Sequence, residues 1–171
     1  MKPSVWHRMD ILRRQLTPFM LTIFLVFVGL VPFHISDLAR VMPLFSLIAV
    51  FHWGVYRAEL LPMYAVFLIG FFQDALSGVP MGVYTLVYVL VYGLVSFQHR
   101  FFSGKSFCVV WLGYAVVSAG ASFLVWLLVS LLHGAVVDPL AVAFQYLLGL
   151  GCYPLIAHLF LRWQRAVLQQ V

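Results

Sequence analysis

The sequence predicts an all-α polytopic membrane bundle of six transmembrane helices, a single domain over residues 1–171 with both termini in the cytoplasm. Three observations predict it. Hydrophobic residues make up 64% of the chain and charged residues only 9%, where a water-soluble domain carries about a quarter charged residues. Mean hydropathy is +1.05. The apolar residues also fall into six runs separated by short turns, and spanning helices are the solution that satisfies every backbone polar group in lipid. The net charge of +5 would suggest nucleic acid in a soluble protein. Here the basic residues lie between apolar runs, so they read as topology signals and lipid-headgroup contacts, with no nucleic-acid partner.

Residues 1–15, MKPSVWHRMDILRRQ, interleave Trp6, Met9 and Leu12 with basic residues. This reads as an amphipathic cytoplasmic segment that anchors the topology or docks a cytoplasmic partner. The first run, about 16–33, follows a basic start as a signal peptide does. About sixteen residues precede it and no small-x-small cleavage site follows, so it is expected to be a retained helix. The second, third and fourth runs, about 41–56, 61–76 and 83–97, are short against the roughly 20 residues a spanning helix needs. Such short runs are expected to lie within the bundle, thin the bilayer locally or be partly re-entrant. The fifth and sixth runs, about 107–132 and 139–161, are long enough. Pro154 is expected to kink the sixth, and Trp163 with Arg162 and Arg165 to anchor its end and the 162–171 tail at the inner interface.

Charge supports this count. With the N-terminus inside, six crossings place Lys2, Arg8, Arg13, Arg14, Arg57, Arg100, Lys105, Arg162 and Arg165 on the cytoplasmic face and only Arg40 outside, a strong positive-inside bias. Asp37 and Asp138 fall in outer loops.

The stretch GFFQDALSGVPMG, residues 70–82, carries Asp74, the only acidic residue inside a long apolar run. A carboxylate in hydrocarbon is costly and faces the bundle interior or a partner. Gly70 lies one helical turn earlier on the same face and admits a close neighbour. Gly78 and Pro80 suit a tight turn, and Gly82 lets the chain re-enter as the next helix. Asp74 can accept hydrogen bonds from that helix start, where the dipole favours an anion. Two readings stay open: Asp74 pins a helical hairpin, or it contacts a partner or ligand at the outer face. Arg57, Glu59 and Pro62 form the inner turn before the third helix, where Glu59 and Pro62 both suit a helix start.

Catalytic and metal chemistry finds no support. GxSxG, P-loop and GxGxxG patterns are absent. The six histidines show no i, i+4 pair and no nearby carboxylate at metal-ligand spacing. Cys108 and Cys152 suggest packing rather than a disulfide or metal site. Ser118 and Ser122, among Ala115, Ala119, Gly120 and Ala121, read as a small-residue packing face.

The chain resembles the MreD family of bacterial rod shape-determining membrane proteins. The residues that carry the resemblance are FLIGFFQDALSGVPMGVYTLVYVLVYGLV (67–95), with Gly70, Asp74, Gly78, Gly82 and Leu86; the RAELLP turn (57–62), with Ala58 where a proline is common; and YPLIAHLFLRWQR (153–165). The resemblance implies a non-enzymatic scaffold or regulator of the cell-elongation complex in the bacterial inner membrane, without cofactor, needed for rod shape and lateral peptidoglycan synthesis. It implies an MreC-like bitopic membrane protein as the bound partner. An MreB-like cytoskeletal filament, a SEDS-type glycosyltransferase and a class B penicillin-binding transpeptidase complete the implied machinery. The family fold looks like the substrate-binding component of energy-coupling-factor transporters. A second reading follows from that: a membrane component that binds a vitamin-sized molecule, with Asp74, Arg40, His34 and Tyr84 as its polar contacts.

Overall fold

The computed structural model describes residues 18–29, 44–98, 105–134 and 138–168. Among them are six helices and no strand: α1 (Pro18–Gly29), α2 (Phe45–Tyr56), α3 (Met63–Ser77), α4 (Val83–Phe97), α5 (Phe107–His133) and α6 (Pro139–Leu168). The 1–15 segment, His34, Asp37, Arg40, Arg100 and residues 169–171 lie outside the described residues.

Helix α2 is the centre of the bundle. Ten of its twelve residues, Ser46 to Val55, are buried, as a helix that is apolar on all sides requires. It packs against α4, α5 and α6, and α3 and α4 lie together as a tight hairpin. Thr22 and Val26 of α1 are also buried, and the Thr22 hydroxyl donates to the Pro18 carbonyl. The aromatic core joins α2 to α5 and α6: Tyr114 stacks on Tyr153 with ring centres 4.3 Å apart, and Phe51 meets both rings edge-on.

Among the described residues, only α5 and the 139–162 part of α6 are long and apolar enough to cross a membrane, and just 22% and 17% of their most apolar windows are buried. A soluble protein would hide such helices. These instead turn Leu112, Val116, Phe123, Leu131, Leu155 and Leu159 outward, an apolar surface suited to lipid. The other four helices are short apolar elements. At 1.5 Å per residue they reach well short of the roughly 30 Å hydrocarbon core.

Helix ends follow local chemistry. Pro62 is extended (ψ 155°) and sits just before α3 as its cap, so α3 begins at Met63 and not at Leu61. Gly78 ends α3 with φ of +66°, the left-handed cap that glycine adopts without strain. The last helix continues through Leu168, so the expected tail at 162–171 begins as helix. Pro154 does not end α6. It lacks the N–H that would bond the Leu150 carbonyl, and the Trp111 indole N–H of α5 donates to that carbonyl at 3.3 Å instead. The two cysteines are free thiols, Cys108 exposed and Cys152 half-buried, so Cys108 does not pack inward. The small residues of α5 divide: Ser118, Ala121 and Ser122 are buried, while Ala119 and Gly120 are exposed.

Candidate functional site: the α3–α4 hairpin

Helix α4 starts with a problem. Its first N–H groups have no intrahelical partner, and Gly82 at its cap has no side chain to offer one. Its φ of +103° is open to glycine and strained for other residues. Asp74, reaching across from α3, supplies the missing acceptor. Its Oδ1 accepts the Tyr84 N–H at 2.7 Å. Its Oδ2 accepts the Gly82 N–H at 3.0 Å, the Thr85 N–H at 3.1 Å and the Thr85 hydroxyl at 2.6 Å. A carboxylate has about four acceptor sites; three of the four donors crowd onto Oδ2 and one meets Oδ1. The helix start also presents the positive end of the α4 dipole. Asp74 is 1% exposed, and its four hydrogen bonds all come from within the hairpin.

Gly70 makes the approach possible. A Cβ there would lie 2.5 Å from Thr85 Cα, 2.9 Å from Thr85 N and 3.2 Å from the Tyr84 carbonyl oxygen. All three are backbone atoms and cannot rotate away. Gly70, Asp74, Gly78 and Gly82 thus act as one unit: close approach, anchor, helix exit and helix entry. Pro80 lies inside the turn, its carbonyl accepting the Val83 N–H at 3.4 Å. Met81 at the tip is 65% exposed.

A second polar cluster, which sequence reading missed, lies beside the first. Ser46 on α2 donates to Gln73 Oε1 at 2.9 Å. The Ser46 proton is then committed, so the Tyr88 hydroxyl, 2.6 Å away, is the donor to Ser46 Oγ. Gln73 Nε2 donates to Ser77 Oγ at 2.9 Å, and Ser77 returns its proton to the Gln73 carbonyl at 2.6 Å. This chain fastens α2 to the hairpin. Replacing Gln73 with Leu strips Ser46 of its acceptor and is expected to cost about 1–3 kcal/mol, read as a lower melting temperature in mild detergent. Tyr88→Phe leaves the Ser46–Gln73 bond intact and is expected to cost less.

At the other end of the hairpin, Arg57 caps α2 through its backbone N–H to the Trp53 carbonyl at 2.9 Å. Arg57 and Glu59 are exposed. The turn between α2 and α3 is tied to α4 by Tyr92, whose hydroxyl donates to the Ala58 carbonyl at 2.7 Å. Tyr84, Tyr88 and Tyr92 occur every fourth residue on α4, and the Tyr84 hydroxyl is hydrogen-bonded to Gln145 of α6. That stripe was the available signal: three hydroxyls on one buried face need three partners on neighbouring helices.

Among the described residues, no three His, Cys, Asp or Glu side chains lie close enough to hold a metal ion. Of the four polar contacts expected for a small-molecule site, Asp74 and Tyr84 are buried and hydrogen-bonded within the bundle, and His34 and Arg40 lie outside the described residues.

The family model described as rod shape-determining protein MreD matches residues 9–167. No curated protein and no solved structure matches the chain.

Proposed function

The chain belongs to the MreD family of rod shape-determining proteins, and from that premise we propose that it is a non-enzymatic membrane scaffold of the cell-elongation complex that binds an MreC-like bitopic partner. In this reading all six helices lie in the inner membrane with both termini in the cytoplasm, and a fold shared with the substrate-binding components of energy-coupling-factor transporters would not by itself make the chain a transporter. The MreB-like filament, the SEDS-type glycosyltransferase and the class B transpeptidase are reached through the same complex.

The observation that carries the proposal is the inward engagement of Asp74. The most conspicuous polar group in the apolar sequence is buried and accepts four hydrogen bonds from Gly82, Tyr84 and Thr85. At 1% exposure it is also shut away from the surface, which leaves little room for a substrate, a proton carrier or a ligand to reach it. Its role in this account is architectural: it latches the α3–α4 hairpin whose turn forms one rim of the molecule. A scaffold needs a shape held against its surroundings, and a latch of this kind supplies one.

The test is affinity purification of the tagged chain in mild detergent, with co-purifying proteins identified by mass spectrometry. An MreC-like bitopic protein in stoichiometric yield, accompanied by wall synthases, is the expected result. Recovery of an ATPase module, or of a bound vitamin-sized molecule with no protein partner, supports the transport reading instead.

A further inference from the structure

Where α6 lies against α2, the bundle buries four hydrogen-bonding atoms that have no partner among the described residues: both ring nitrogens of His52, the Trp53 indole nitrogen and the Tyr153 hydroxyl. His52, Trp53 and Tyr153 are each no more than 1% exposed. Their surroundings are rings. His52 lies 4.7 Å from the Tyr56 ring centre and 5.0 Å from that of Phe160, Trp53 lies 5.6 Å from Phe160, and Tyr153 packs on Tyr114 and Phe51. Apolar side chains of similar size would fill this seam without leaving a polar atom unpaired. Buried polar groups are nearly always hydrogen-bonded, so a state in which these atoms meet water is favoured over one in which they never do.

A second, independent observation marks the same helix. Pro154 interrupts the α6 hydrogen-bond ladder, and the Leu150 carbonyl it leaves open is held from outside by Trp111. Gly149 and Gly151 flank that carbonyl. A proline with adjacent glycines is where a helix bends. Tyr153, Ala157 and Phe160, all buried against the core, lie on one face at and beyond this point.

We propose that the part of α6 beyond Pro154 is a hinged element that parts from α2 to hydrate His52, Trp53 and Tyr153, with the Trp111–Leu150 bond as the clasp that holds it closed. The seam then has two states, one packed and one open to water, while the α3–α4 half of the bundle stays latched.

Cysteine accessibility of the full-length protein in detergent tests this. In a Cys108→Ser, Cys152→Ala background, Ala157→Cys places a thiol in the seam and Ile69→Cys places one in the latched half, where Ile69 is equally buried. A charged, water-soluble maleimide is expected to label position 157 at least about ten-fold faster than position 69. Pro154→Ala, which restores an N–H to Leu150, should slow labelling at 157, and Trp111→Phe should hasten it. Hydrogen exchange on the unsubstituted chain gives a parallel reading, with residues 153–160 exchanging faster than 65–72. Equal labelling at 157 and 69, or labelling at 157 indifferent to Pro154→Ala and Trp111→Phe, overturns the hinge and leaves the four atoms to trapped water in a closed seam.

Discussion

Asp74→Ala is expected to remove most of the folded protein from the membrane. The substitution takes one carboxylate and leaves four donors without an acceptor: the N–H groups of Gly82, Tyr84 and Thr85 and the Thr85 hydroxyl. Tyr84 and Thr85 are buried; each buried donor left unmade costs about 1–3 kcal/mol, and three such losses approach the lower end of a typical domain's stability, about 5–15 kcal/mol. Asp74→Asn separates size from chemistry. It keeps the shape and one acceptor oxygen. However it is turned, its NH2 group faces a hydrogen-bond donor. It is therefore expected to fare little better than alanine. Fluorescence-detected size-exclusion of detergent extracts measures the folded fraction of both variants.

Gly70→Ala is expected to do comparable damage with a single methyl group. The added Cβ would stand 2.5 Å from Thr85 Cα, where ordinary contact between carbons is about 3.5–4.0 Å. Relief requires α4 to back away, and α4 carries every donor that Asp74 uses. The two substitutions act on one contact, so the double variant should lose much less than the sum of the single losses. Gly120→Ala is the control. The space over its Cα is open, and alanine favours helix over glycine by about 1 kcal/mol, so this variant should be neutral or slightly stabilised.

The difference between these two glycines shows where sequence reading reaches and where it stops. The helices were legible because apolar runs of the right length are separated by turn residues. Helix α4 begins and ends at the boundaries its apolar run marks. Boundaries that depend on a particular residue shifted: Pro62 delayed α3 by occupying its cap, and α6 carried on past the end of its apolar run at Leu161 because nothing at 162–168 stops a helix. Asp74 stood out since a lone carboxylate in an apolar run demands a partner, and the glycines around it suggested a nearby helix start. That Gly70 touches backbone while Gly120 faces open space depends on which helices are neighbours, and no spacing along the chain reports that. The same holds for Ser46, Gln73 and Thr85. An uncharged polar residue in an apolar run looks alike whether it faces lipid, core or a neighbouring helix. The buried His52 and Trp53 were hidden for the opposite reason: the sequence places them within an apolar run, and nothing in that pattern says they lack partners.

The architectural role of Asp74 within a scaffold is the central claim, and the most direct measurement is partner recovery per folded molecule. Tagged wild-type and Asp74→Ala proteins are extracted in mild detergent, the folded fraction of each is quantified, and the co-purified MreC-like protein is divided by that fraction. The account predicts a steep fall in folded protein with an unchanged ratio among the molecules that remain folded. An Asp74→Ala protein that folds to wild-type levels yet recovers no partner would contradict it and make the carboxylate a docking contact.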